Sequence, residues 1–188
     1  MKKQETSVDA IFALHNRTSS PRLTEPAPSE AELQLIYQAA LRAPDHGLLR
    51  PWRFLVVKGD ARVKLGDLFV RCSQPDSEEK RLKLRDAPLR APVVIIAVAA
   101  IVEHPKVPAI EQMASTAAAV QNMSLAAYAL GYGTIWKTGA VAYDEKIKQA
   151  LGIGTQEEIM AYLYLGSPTL KERPVPVLPT QDFFEDWP

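Results

Sequence analysis

One cysteine, Cys72, stands in 188 residues. An intrachain disulfide framework is therefore excluded, which fits a reducing compartment. Cys72 itself reads as a small residue on a helix, because no histidine-bearing motif lies beside it. Charge of one sign is missing as well: 22 Lys+Arg against 22 Asp+Glu leave a formal net charge of zero. Nucleic-acid binders draw affinity from a basic excess that neutralises phosphates, so that class is set aside. The longest strongly apolar run, Ala91 to Val102, falls far short of the ~20 residues a membrane helix requires. Met1 to Ala10 has two lysines but neither an apolar signal core nor a cleavage site. The expected location is cytoplasmic. The chain also lacks a P-loop, a G-x-S-x-G elbow and an H-E-x-x-H helix. Its three histidines, His15, His46 and His104, share no metal-ligand spacing, so no metal site is expected. Hydrolytic and metal chemistry lose their usual carriers.

What remains is an ordinary globular composition, 47% hydrophobic and 23% charged. The length suits one domain, and a chain this long buries roughly two-thirds of its unfolded surface without a staple. Ser7 to Asn16 reads as a helix capped by Ser7. Thr18 to Pro28 holds three prolines and is expected to be an extended connector. Ser29 and Glu32 form a capping box for a helix whose apolar residues recur at helical spacing up to Pro44. Arg53 to Lys58 reads as a strand and Asp60 to Arg71 as a helix. Ser77 to Arg90 is charged and less defined, with a helix as one reading. Pro92 to Ile101 is a β-branched run typical of a strand buried on both faces. Glu111 to Leu130 is an alanine-rich helix, apolar nearly all round, fit for a core spine or a subunit interface. Gly133 to Val141 and Ile159 to Leu165 read as strands around a short helix, Tyr143 to Leu151. From about residue 168 the chain is proline-rich and aromatic, an extended arm that should lie across a surface. The alternation of helices and strands points to a single layered domain of α/β type.

Three segments concentrate chemistry. Asn16-Arg17-Thr18-Ser19 follows a helix with one guanidinium and two hydroxyls, groups suited to a phosphate; the plain alternative is a dipole-compatible helix end. Arg42 to Trp52 packs arginines, Asp45, His46 and Trp52 into a loop between helix and strand. Such loops often carry function, although a turn with Asp45 capping locally and His46 facing water fits equally. Trp136-Lys137-Thr138-Gly139 sets a lysine among apolar strand residues, where it needs an anionic partner or a route to water.

In this order and spacing, the three segments resemble those of FMN-dependent nitroreductases. The resemblance extends to Arg22-Leu23 with Glu25-Pro26, Pro51-Trp52, Lys106-Val107-Pro108, Glu111-Gln112, Gly131-Tyr132-Gly133 and Leu163-Tyr164-Leu165-Gly166. It covers about Ser7 to Leu170. It implies an α+β nitroreductase-like fold, with a central, mostly antiparallel sheet flanked by helices, in an intertwined homodimer embraced by the C-terminal arm. It also implies an FMN site at the interface: Arg17, Thr18 and Ser19 on the ribityl phosphate, and Trp136, Lys137 and Thr138 along the same flavin, Lys137 adding charge near the phosphate. Arg42 and His46 would reach that flavin from the partner. Thr18 stands where the wider family usually has a second arginine, Asp45-His46 replaces a serine-rich loop, and Arg50 replaces a glutamine. The implied activity is hydride transfer from NAD(P)H through the flavin to an electron-poor acceptor such as a nitroaromatic or quinone. No residue is assigned to catalysis, and His46 is the one nearby candidate for proton delivery. The same residues also allow a flavin-binding module without turnover, or a protein that keeps only the fold; reduction of bound flavin separates these readings.

Overall fold

The computed structural model describes residues 9–169 and 174–187. Helix α1 (Ala10–Asn16) starts at Asp9, whose carboxylate accepts from the N–H groups of Ile11 and Phe12 at 2.9 and 3.1 Å. Ser7, the expected cap, lies outside the described residues. The proline-containing connector that follows is not wholly irregular, since it contributes a two-residue strand, β1 (Leu23–Thr24). Helix α2 (Glu30–Ala40) has the complete capping box: Ser29 N–H donates to Glu32 Oε2, and Glu32 N–H donates to Ser29 Oγ. Strand β2 (Trp52–Lys58) leads to α3 (Ala61–Ser73) and α4 (Glu78–Asp86), then to a 3-10 turn, Ala87–Arg90. Cys72 lies on α3 as expected. Strand β3 (Val93–Ala100), the 21-residue α5 (Ala109–Ala129), β4 (Gly133–Lys137), α6 (Glu145–Ala150) and β5 (Glu157–Pro168) complete the domain.

The strands form one five-stranded sheet in which β5 pairs with β3 on one side and with β4 on another, while β2 pairs with β3. β1 joins the end of β5, opposite Ser167 and Pro168. All of these pairings are antiparallel. The α/β reading from element order is therefore corrected to α+β. The physical reason is α4. One crossover helix returns a chain to the end of the sheet where it began and gives parallel strands. Two helices in series, α3 and α4, deliver it to the opposite end. The six residues of α6, about 9 Å of helix, are too few to carry the chain back along β5.

Side-chain alternation in β3 sorts the core into two layers. Val94, Ile96 and Val98 face Leu65, Phe69 and Ile147 of α3 and α6. Val93, Ile95 and Ala97 face Leu33 and Ile36 of α2 and Ala119, Val120 and Met123 of α5. Residues Val93 to Ala99 have no measurable exposure, as their β-branched run predicts. The alanine-rich α5 is thus a core spine. Described residues 174–187 are all exposed. Among the described residues, no helix is long and apolar enough to cross a membrane, and no group of metal-ligating side chains occurs.

Polar groups at the sheet ends are tied down. Arg53 grips Glu157 through Nε and Nη2, both at 2.6 Å, and its Nη2 also donates to the Gly152 carbonyl at 2.9 Å. This fork holds the Glu157 carboxyl below the usual carboxylate range. The depressed value stabilises the fold above the ordinary carboxylate pKa, and that contribution disappears as pH falls through the folded value. Glu157→Gln is expected to cost about 1–3 kcal/mol at pH 7. Urea melts should show the gap to wild type closing below about pH 4.

Gly66 sets the distance between α3 and α4, because a Cβ there would stand 2.0 Å from the Arg85 carbonyl oxygen. Gly66→Ala must push α4 away, at a cost of about 1–3 kcal/mol. Thermal unfolding should show a lowered Tm, whereas Gly152→Ala, with open space at its Cβ position, should show only the cost of its positive φ.

Candidate functional site

The first candidate segment is fastened beside β4. Arg17 closes α1 with an extended ψ of 125°, which turns the chain out of the helix. Ser19 then forms a parallel bridge with Thr134, and Ser20 N–H donates to the Thr134 carbonyl at 2.8 Å. Gly133 makes this approach possible, since a Cβ there would lie 2.7 Å from Ser20 Oγ. Arg17 and Thr18 are half-buried, and Arg17 has no acidic partner among the described residues.

β4 is shorter than expected. It stops at Lys137, and Thr138 and Gly139 leave the strand because Gly139 has φ 71° and ψ −176°, a conformation open essentially to glycine alone. The expected strand to Val141 is instead a bend ending in a 3-10 turn, Ala140–Ala142. Trp136 is not core: it is 38% exposed, and its indole N–H donates to the Met160 carbonyl at 2.9 Å. Counting along the strand from Thr134, Lys137 lies three residues, about 10 Å, beyond the level of Ser19.

Lys137 finds its route out of the apolar strand in a cavity of about 620 Å³. Thr138 and Gly139 share the rim, Phe69, Tyr162 and Tyr164 supply aromatic wall, and Lys83 and Arg90 line it from the α4 side. Burial pushes both tyrosine phenols up, so both walls stay neutral. Lys83 and Arg90 were not among the residues expected at a site. Their signal was faint, because the charged run Ser77 to Arg90 has no motif until α4 is seen to face Lys137 to Val141 across the cavity.

The second loop lies elsewhere. Asp45 Oδ2 accepts from Arg50 N–H at 2.7 Å, which is the local cap expected of it. His46 is exposed but not alone: its Nδ1 lies 2.7 Å from Glu111 Oε2, in the first turn of α5. Three residues of this loop occupy the left-handed region, Gly47 (φ 75°), Leu48 (φ 54°) and Arg50 (φ 49°). Strain at two non-glycine residues in one short loop is of the kind that gathers at functional sites. The Pro51 carbonyl is held by Thr116 Oγ1 at 2.8 Å, which anchors the loop to α5.

The structure therefore brings Arg17, Thr18 and Ser19 to β4 and its Trp136, Lys137 and Thr138 but leaves His46 apart from them, while Arg42 follows α2, whose last turn is held to α5 by the bond from Asn122 Nδ2 to the Ala39 carbonyl. His46 meets the beginning of α5, whereas the end of α5 leads directly into β4. Twenty-one residues of helix separate the two by about 31 Å. Sheet order agrees, because β2 and β4 lie on opposite sides of the β3–β5 pair.

Comparison with known proteins was made against this geometry. The family model described as "Nitroreductase family" matches residues 14–167. "Putative NAD(P)H nitroreductase YdjA" of Escherichia coli (strain K12) is 42% identical over 166 residues, 87% of this chain and 91% of the relative. A nitroreductase-like family protein from Bacillus cereus superposes with a TM-score of 0.84 at 25% identity, covering 98% of this chain and 99% of that one. A nitroreductase from Desulfovibrio desulfuricans, described as putative and crystallised in complex with FMN, gives a TM-score of 0.73 at 25% identity over 97% of this chain and 99% of that one. With the family model spanning both the Ser19–β4 segment and the His46 loop, and with the fold shared from end to end, this chain belongs to the nitroreductase family of oxidoreductases.

Proposed function

We propose that the chain binds FMN and uses it to move electrons from NADH or NADPH to an electron-poor acceptor such as a nitroaromatic or quinone. The observation that carries this reading is the placement of two half-sites at opposite ends of α5. A second copy related by a two-fold axis across α5 would run its helix antiparallel to the first. The start of each α5, with its His46 loop, would then lie over the partner's Ser19–β4 segment. Neither half is complete alone; two copies make two whole sites.

The residues fit the group. Arg17 has no acidic partner among the described residues, and its fork suits a phosphate. Thr18 and Ser19 add hydroxyls beside it. The ~10 Å from Ser19 to Lys137 compares with the ribityl chain that separates phosphate from ring. Trp136, Lys137 and Thr138 would then lie along the flavin, with Lys137 adding positive charge. The bare backbone at Gly139, where nothing stands within 4 Å of a Cβ position, lets a flat ring approach closely.

Arg42 and His46 of the partner subunit would close the site. Glu111 holds His46 by Nδ1, so the imidazole offers Nε2 to whatever lies in front of it. When bound, FMN supplies the chemistry: it accepts hydride from a dihydronicotinamide and returns two electrons to the acceptor. The protein binds, orients and supplies charge. The relative's name, "Putative NAD(P)H nitroreductase YdjA", and the FMN complex of the Desulfovibrio protein support the same donor and cofactor.

The test begins with the absorbance spectrum of purified protein, followed by anaerobic NADPH and then NADH. Flavin bands that bleach are expected. Bound flavin that neither nicotinamide reduces would indicate a binding module without turnover. Arg17→Ala is expected to weaken FMN retention about 10- to 100-fold, and unchanged retention would remove the phosphate assignment.

A further inference from the structure

The cavity behind β4 has more positive charge than the proposed flavin contacts require. Most cations of α4 are satisfied within the helix or just before it: Arg81 with Glu78, Arg85 with Asp86, and Lys80 with Asp76 at 2.8 Å. Lys83 is different. It lines the cavity and has no acidic partner among the described residues. Arg90 also lines it with no ion pair among the described residues, close enough to Tyr164 to act on its phenol. Asp76 is the one acid on the lining, and Lys80 already occupies it.

These cations stand over an apolar interior. Phe69 and Tyr162 are 1% exposed and meet edge to face, with centroids 5.6 Å apart; Tyr164 lies beside them. Leu84, Ala87 and Val141, half-buried on the same lining, leave apolar surface for a flat ring, and the exposed Lys83 and Arg90 accept an acid group attached to it. A simple fatty acid could not take electrons from a flavin, and a free inorganic anion would leave the apolar volume unfilled.

We propose that this cavity is a subsite for a planar aromatic electron acceptor bearing a carboxylate or comparable acid, with Lys83 and Arg90 as its specificity-determining residues. This rests on the oxidoreductase reading above and names the substrate class. Lys137, Thr138 and Gly139 line the same cavity, so the ring of such a ligand would sit next to the end of β4 proposed to contact the flavin.

The probe pair is 4-nitrobenzoate and its uncharged methyl ester, titrated calorimetrically into the flavin-loaded protein. The acid is expected to bind about tenfold more tightly than the ester, with the preference shrinking as salt rises. In Lys83→Gln/Arg90→Gln the preference should vanish while FMN content per subunit is unchanged. Lys83→Arg/Arg90→Lys should retain it, which separates charge from folding. Equal binding of acid and ester by the wild type, or a preference that survives the glutamine variant, would overturn the proposal. Loss of flavin together with the preference would also overturn it, by assigning these cations to the cofactor. A wild-type protein that takes up no FMN would sink the functional reading instead, and the acid–ester comparison would still report on the cavity.

Discussion

Val93 to Ala99 of β3 are sealed from water on both faces, so their backbone groups have no partners except the neighbouring strands β2 and β5. Leaving such groups unpaired costs about 1–3 kcal/mol each, which makes the three-strand ladder the constraint that the rest of the chain satisfies. Its alternating side chains then demand a cover on each face. Leu65, Phe69 and Ile147 supply one, and α2 with α5 supplies the other. Among the described residues no buried side-chain polar atom is left without a partner. Gln112 illustrates how: it is 1% exposed and clamps the Val102 N–H and carbonyl and the Val107 carbonyl, binding the segment after β3 to α5.

The same helix that covers the sheet separates the functional segments. Because α5 runs from the Glu111–His46 contact to the start of β4, its length is also the distance between the two halves of the candidate site. A shorter helix would have let one chain close the site on itself. Alanine at Ala114, Ala117 and Ala118 leaves little bulk on the less buried side of α5, which allows another helix to come close. The two-fold pairing proposed above uses that space.

Much of this was legible in the residues, for identifiable reasons. The β-branched run at Val93 to Ile96 and the Ser29–Glu32 box each express a local preference that tertiary packing did not override. Strand direction was not legible from element order, because it turned on whether Ser77 to Arg90 formed a helix. Those residues have no apolar stripe to announce one; Ser77 caps α4, and the Glu78–Arg81 pair at i,i+3 spacing supports it. The end of β4 was misread for a related reason, since only the backbone reveals that Gly139 uses its freedom to break the strand. The segments bearing Arg17, His46 and Lys137 were conspicuous by side-chain chemistry. Their separation within one chain was not, because contacts between distant segments leave no periodic trace in a sequence.

Gly66 connects these points. Without a side chain there, α4 settles against α3 with the Arg85 carbonyl where a Cβ would be. That close approach sets where Lys83 stands relative to β4, and therefore the width of the cavity between them. A larger residue would displace α4 as a body, because helix backbones move more readily than they compress. The cations would then retreat from the Tyr162–Tyr164 wall together. A helix whose charges look merely solvated in the sequence is thus held at a defined distance from the bend that ends β4, by the absence of one methyl group.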